Sequence, residues 1–324
     1  MGVKLAVVGS TGEVGRMIIR ILEEKSVRPE GVDFYASAKS AGSKLTFAGK
    51  EYEVKELTAE AMKRGYDYLL FSAGGAVSRE FAPLAADAGS VVIDNSSAFR
   101  MDEDIPLVVP EINGDLLKGY RKGIVANPNC STIQMVLGLS KIHELFGIRS
   151  IVVSTYQSVS GAGRGGMDEL EEQMRGSTEA KKFGKQIHLN VIPKIGTLLD
   201  NGFTDEEMKM VNETRKIFRD PDICVWPTTV RVPVLYSHSE AVFAETRKPF
   251  TLAGLADALR GSESVVYSED LVTPQDGAGT DTVFVSRLRA FDDTRFLCWN
   301  VADNIRVGAA TNAVRILLKH RELN

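Results

Sequence analysis

The chain begins with VKLAVV, an unbroken apolar run from Val3 to Val8. GSTGEVG follows, with glycines at 9, 12 and 15, and then an amphipathic pattern from about Val14 to Leu22. An apolar run of that length is a strand buried on both faces, and apolar residues three and four apart mark a helix. Strand, glycine turn and helix in that order restrict the chain to few folds. The arrangement reads as a parallel βαβ unit in which backbone amides can approach a pyrophosphate and the helix N-terminus adds partial positive charge; a plain tight turn is the alternative. Gly9 and Gly12 are therefore candidate cofactor contacts, and Glu13 must turn to solvent, because a carboxylate beside a pyrophosphate is unfavourable.

The alternation continues. A strand ends near Tyr35, residues 45–57 alternate around AGKE as a hairpin does, and DYLLFS, a helix near 77–88 and SVVIDNSS follow. This order specifies an α/β, Rossmann-type doubly wound parallel sheet. The second strand runs into YASAKSAG, with Ser37, Lys39 and Ser40 and no acid at its tip. Hydroxyls and a lysine suit a 2′-phosphate, so NADP is favoured over NAD; a solvated polar turn is the alternative.

After about residue 126 the pattern changes. Helical periodicity over 131–145 leads into SIVVSTYQSVSGAG; helices near 166–175 and 204–218 precede long strand-like segments at 223–236, 238–246, 282–291 and 295–302. Long strands with few helices between them imply an α+β domain with a mixed, largely antiparallel sheet. The 324 residues exceed one core, so two domains are expected, 1–127 and 128–304, with a helix from about 305 to the C-terminus returning to the first.

Composition excludes several classes. A net charge of −4 does not point to nucleic acid or an anionic membrane, and no apolar segment approaches a membrane span. Three cysteines far apart argue against a disulfide framework and for a reducing, cytoplasmic setting without an export signal. Four histidines without CxxC or HxxxH spacing predict no metal site.

The chemistry concentrates around ANPNCSTIQM. Asn127-Pro128-Asn129 is turn chemistry, so Cys130 falls in the first turn of a helix. There a thiolate is favoured and backbone amides can meet a developing oxyanion, whereas Cys224 and Cys298 sit inside apolar strand patterns as core residues do. Gln157, Ser160 and Gly161 lie where STYQSVSGAG leaves its strand. Arg231 and His238 are seven residues apart in RVPVLYSHSE, and the histidine is a candidate acid or base. Glu213 and Lys216 share a helix face, as a surface ion pair also would, and Arg100 ends a strand at the carboxyl edge of the first sheet.

GSTGEVG, SSAFRM, NPNCST, STYQSVSGAG, NETRKI, RVPV and SHSE, in this order over essentially the whole chain, resemble the bacterial aspartate-β-semialdehyde dehydrogenases. The resemblance implies NADP-dependent reduction of L-aspartyl-4-phosphate to L-aspartate-4-semialdehyde in lysine, threonine, methionine and diaminopimelate biosynthesis, by a homodimer or tetramer. It implies Cys130 as acyl-thioester nucleophile, His238 as acid/base and Gln157 as a substrate-orienting group. Arg231 would hold the α-carboxylate, Glu213 the α-ammonium, and Arg100, Asn129 and Lys216 the phosphate. Thr11, Gly12, Glu13, Val14, Lys39, Ser40, Ser160, Gly161 and Asn304 would line the cofactor. The chain departs from the family at Glu13, at Lys39 where arginine is frequent, and at Ser237 where glycine is usual. Alternatives are an N-acetyl-γ-glutamyl-phosphate reductase or another phosphorylating aldehyde dehydrogenase, and, in another class, a non-catalytic NADP-binding redox sensor.

Overall fold

A computed structural model describes residues 2–324. Its contacts divide the chain into two compact units, one running to Pro128 and including Ala309–Asn324, the other Asn129–Gly308.

In the first unit the opening apolar run is β1 (Lys4–Val8), and the amphipathic pattern is α1 (Glu13–Glu24). β2 (Gly31–Ala36) is followed by the hairpin β3 (Lys44–Phe47) and β4 (Lys50–Glu53), which turns at the AGKE sequence. Next come β5 (Lys55–Glu56), α2 (Ala59–Met62), β6 (Tyr68–Phe71), α3 (Gly75–Asp87), β7 (Val91–Asp94), α4 (Pro110–Asn113) and β8 (Gly123–Ala126). The main sheet runs β5-β2-β1-β6-β7-β8, with every pairing parallel. Strand order reverses between β1 and β6, the switch point outside whose carboxyl edge such sheets bind ligands. Side chains alternate across the sheet: Leu5 and Val7 join one core with Ile18 and Leu22 of α1, while Ala6 and Val8 join the other with Leu69 and Phe71. The C-terminal helix closes the first of these cores through Ala313, Val314 and Leu317.

The second unit starts with α5 (Cys130–Phe146) and β9 (Ile148–Gln157), then α6 (Arg164–Met174) and α7 (Asp205–Phe218). β10 (Cys224–Arg231), β11 (His238–Thr246), α8 (Leu252–Arg260), β12 (Val265–Tyr267), α9 (Pro274–Gly277), β13 (Val283–Ala290) and β14 (Arg295–Ala302) complete it. The sheet order is β10-β9-β11-β14-β13-β12, antiparallel at its three inner pairings and parallel at the outer two. α5 packs across β9, β11, β13 and β14, flanked by α7 and α8. Period-two alternation turns Val152, Tyr156 and Trp226 to the opposite face, where they are exposed.

Several elements differ from the sequence-based expectation. The strand expected over 223–236 stops at Arg231, two residues before Pro233, which has no N–H for a ladder. β8 and β12, of four and three residues, are too short for periodicity to reveal. α8 carries a glycine in a nine-residue pattern and is marked mainly by its Thr251 cap, whose hydroxyl accepts the Gly254 N–H at 3.0 Å. The C-terminal pattern is π-helical over Arg306–Thr311 before becoming α10 (Asn312–Leu323).

Candidate active site

The start of α5 is held from three sides. Asn129 adopts the extended N-cap conformation, and its side-chain oxygen accepts the N–H groups of Ser131 at 3.0 Å and Thr132 at 3.3 Å. Its own N–H donates to Glu213 at 2.7 Å, and its side-chain amide donates to Glu206 at 2.9 Å. Those carboxylates lie seven residues apart, two turns along the buried face of α7. α7 thus fixes where α5 begins, and with it the position of Cys130. On another side the backbone of Gly308 lies against the cysteine, so close that a Cβ there would stand 2.8 Å from Cys130 Cβ.

Cys130 Sγ stands 3.4 Å from Nε2 of His238, the first residue of β11, which is fully buried. The other ring nitrogen, Nδ1, accepts the backbone N–H of Ser158 at 3.1 Å. An imidazole nitrogen that accepts carries no proton, so the neutral ring has its proton on Nε2, facing the sulfur. Burial holds His238 well below the ordinary imidazole value, and the Arg231 charge adds to this, so the ring stays neutral. It is therefore built to donate from Nε2, to a thiolate or to an oxyanion formed beside it.

Ser160, Gly161 and Asn304 surround the histidine. The Asn304 side chain bonds the hydroxyls of Ser158 at 3.0 Å and Ser160 at 3.2 Å, and accepts the Ser237 N–H at 3.1 Å. Ser237 has φ +70°, in the left-handed region, which gives a physical reason for the glycine usual there. Gly161 is required by close approach: a Cβ would lie 2.9 Å from Arg231 Nη1 and 3.1 Å from His238 Cε1.

Gln157 and Arg231 end β9 and β10 opposite each other in register, and both are buried. Arg231 donates to the Ser158 carbonyl at 2.6 Å and lies over the Phe183 ring, while its Nε, also buried, has no partner. Burial pulls the Arg231 guanidinium down, and the charges of Cys130 and Glu206 oppose that. An anion meeting this fork would satisfy the buried donor. Lys216 is half-buried on α7, one turn beyond Glu213.

In the first unit, Gly9 has φ +78°, and a Cβ there would lie 2.2 Å from the Ser72 carbonyl oxygen. A Cβ at Gly15 would lie 2.1 Å from the Gly9 carbonyl oxygen. The N-cap of α1 is Gly12, without a side-chain cap, so the loop from Thr11 through Glu13 and Val14 leaves backbone that could meet a pyrophosphate. Ser37, Lys39 and Ser40 form an exposed turn at the carboxyl end of β2, closed by the Ser40 N–H on the Ser37 carbonyl at 2.9 Å. The one acid in β2, Asp33, lies mid-strand and is bonded to Lys55 at 2.6 Å and to Tyr66, so it is committed to the fold. The residues present thus fit a dinucleotide, with a lysine and hydroxyls at the ribose end. Arg100 is buried at the carboxyl edge of the sheet, donating to the carbonyls of Asn127 and Asn95 at 2.9 Å each.

Every candidate from Asn129 to Asn304 therefore falls in the second unit, and the glycine loop, the 37–40 turn and Arg100 fall in the first. Sequence reasoning passed over Ser158, Glu206 and Gly308. Ser158 stands inside a motif already singled out, and Glu206 shares the helix face of Glu213; nothing local marks Gly308. Among the described residues, no three His, Cys, Asp or Glu side chains gather as a metal ion requires, and no helix is long and apolar enough to cross a membrane.

Residues 4–120 match the semialdehyde dehydrogenase NAD binding domain, and residues 139–307 match the semialdehyde dehydrogenase dimerisation domain. An aspartate-semialdehyde dehydrogenase of Aquifex aeolicus is 47% identical, covering 98% of this chain and 97% of the relative. That of Bacillus subtilis is 42% identical over 100% of this chain and 99% of its own length. A crystal structure of aspartate semialdehyde dehydrogenase II from Vibrio cholerae, complexed with ASA, superposes with a TM-score of 0.96 at 44% identity, covering 99% of each chain. With two domain matches in sequence order and full-length relatives, the chain belongs to the semialdehyde dehydrogenase family, among its aspartate-semialdehyde dehydrogenases.

Proposed function

We propose that the chain catalyses the reversible, NADP-dependent reductive dephosphorylation of L-aspartyl-4-phosphate to L-aspartate-4-semialdehyde, through an acyl thioester on Cys130. The observation that carries this reading is the thiol in the first turn of α5, 3.4 Å from the protonated nitrogen of a neutral histidine. The thiolate, favoured at a helix N-terminus and bonded by His238 Nε2–H, attacks the acyl carbon. The carbon–sulfur bond forms as the carbon–oxygen bond to phosphate breaks, and phosphate departs with the bonding pair. The glycine loop would hold NADPH, with Lys39, Ser37 and Ser40 at its 2′-phosphate, and the bound cofactor would supply the hydride for the thioester carbonyl. Collapse of the tetrahedral alkoxide then breaks the carbon–sulfur bond, giving the aldehyde and a thiolate that His238 Nε2–H again stabilises.

The remaining residues match the substrate's charges. Arg231 offers a buried fork with an unsatisfied Nε to the α-carboxylate. Glu213 offers its carboxylate to the α-ammonium, Gln157 orients the acyl group, and Lys216, Asn129 and Arg100 take the phosphate. The products would enter lysine, threonine, methionine and diaminopimelate synthesis. Three cysteines outside any disulfide fit a reducing cytoplasm. A homodimer or tetramer would cover the sheet face bearing Val152, Tyr156 and Trp226.

The test is an assay with aspartate semialdehyde, phosphate and either NADP or NAD, read as absorbance of the reduced cofactor. Phosphate-dependent reduction of NADP that vanishes in Cys130→Ser is expected. No reduction by folded protein would refute the reading, and a preference for NAD would refute the role of the 37–40 turn.

A further inference from the structure

Cys130, Gln134 and Gly138 recur every four residues and so form one stripe along α5. That stripe faces β11 and β14. Gln134, buried to 1% exposure, donates from Nε2 to the carbonyl of His238 at 3.3 Å and faces the Asn300 carbonyl at 3.5 Å. Asn300 returns a bond from Nδ2 to the Gln134 carbonyl at 2.9 Å. Gly138 lets the helix sit this close, since a Cβ there would lie 2.8 Å from Asn300 Nδ2. The same side chain that lies one turn below the nucleophile is therefore bonded to the backbone of its histidine.

Under this contact lies Glu240, two residues beyond His238 and paired with Asn300 in the β11–β14 register. It is fully buried, and its carboxyl faces the Gln134 amide without either oxygen completing a hydrogen bond. Gln134 Oε1 and Asn300 Oδ1 lack donors as well. A set of buried acceptors without a donor is costly, and a bare carboxylate among them costlier still. One proton on Glu240 removes the charge and puts a donor among buried oxygens that have none. Burial indeed holds the Glu240 carboxyl well above the ordinary carboxylate range. The ionisable neighbour on β14, Cys298, is pushed up to about 12 by burial and brings no charge.

We propose that Gln134 and Glu240 form the positioning pair that holds the Cys130 thiol against His238. The pair touches neither substrate nor cofactor: it acts through α5 and through the His238 backbone. The proposal rests on the thioester reading for the role of Cys130, but its geometry can be tested without turnover.

The experiment uses the full-length protein and two readouts, the rate of Cys130 alkylation by iodoacetamide across pH and the steady-state kinetics with aspartate semialdehyde. Gln134→Met keeps volume and removes both hydrogen bonds. It should lower alkylation and kcat together by about 10- to 100-fold, with KM changed less than about twofold, as small misplacement of reacting groups does. The exchange Q134E/E240Q puts an acid and an amide back face to face and should recover most of both rates. Wild-type alkylation in Gln134→Met, or an exchange variant no faster than Gln134→Met, would overturn the proposal. Failure of the thioester reading would appear separately, as turnover surviving in Cys130→Ser.

Discussion

Gly308 offers the sharpest test of how the Cys130 thiol is placed. An alanine Cβ would stand 2.8 Å from Cys130 Cβ, 3.1 Å from its Cα and 3.4 Å from its carbonyl oxygen. Ordinary van der Waals contact begins near 3.4 Å, so relief requires a retreat of 3.4 − 2.8, about 0.6 Å. These are Cβ and backbone atoms, and no flexible side chain can swing away to absorb the shift. If α5 yields, the 3.4 Å contact from Cys130 Sγ to His238 Nε2 opens toward about 4.0 Å. A displacement approaching 1 Å costs up to about 100-fold in rate, and overpacking costs about 1–3 kcal/mol of stability. Gly308→Ala should therefore lose about 10- to 100-fold in kcat, with KM for aspartate semialdehyde almost unchanged and a thermal midpoint lowered by several degrees. Steady-state kinetics and calorimetry measure both. Wild-type kcat together with a crystal structure retaining the 3.4 Å contact would refute the reasoning.

Three further outcomes follow from particular contacts. Asn129→Ala removes the α5 cap and leaves Glu206 without its amide partner, so denaturant unfolding should show a loss of about 1–2 kcal/mol; no loss would mean the cap contributes nothing. Ser237→Gly relieves a left-handed φ of +70° and removes a hydroxyl that has no hydrogen-bond partner, so stability should rise by up to about 1 kcal/mol; a lowered thermal midpoint would contradict this. Glu240 has a raised folded value, so the native state retains a proton that the unfolded chain releases above about 4.5, and stability falls as pH rises from there. Glu240→Gln removes this linkage. Its stability relative to wild type should climb between pH 5 and pH 8, and a constant difference across that range would contradict a neutral buried acid.

Much of the fold was legible because its signals are local. A buried run before GSTGEVG reads as the first strand of a dinucleotide-binding sheet, and AGKE between alternating segments reads as a hairpin. β8, α8 and β12 escaped, since a strand of three or four residues or a nine-residue helix with an internal glycine carries too little periodicity. The family motifs pointed to Cys130 and His238, but Asn129 appeared only as a turn residue and phosphate ligand. That it joins α5 to two carboxylates of α7 depends on helix packing, which no nearby residue pattern records.

By itself, then, the sequence determined the strand–loop–helix start, the two classes of sheet and the placement of Cys130 at a helix N-terminus. These follow from spacing along the chain. Tertiary structure alone decided that Cys130 meets a ring 108 residues away. It also decided that Ser158 sets the tautomer of that ring, that Gly308 lies against Cys130, and that Gln134 reaches the His238 carbonyl. The physical reason is that a proton's location and a helix's last half-ångström depend on packing between strands and helices remote in sequence.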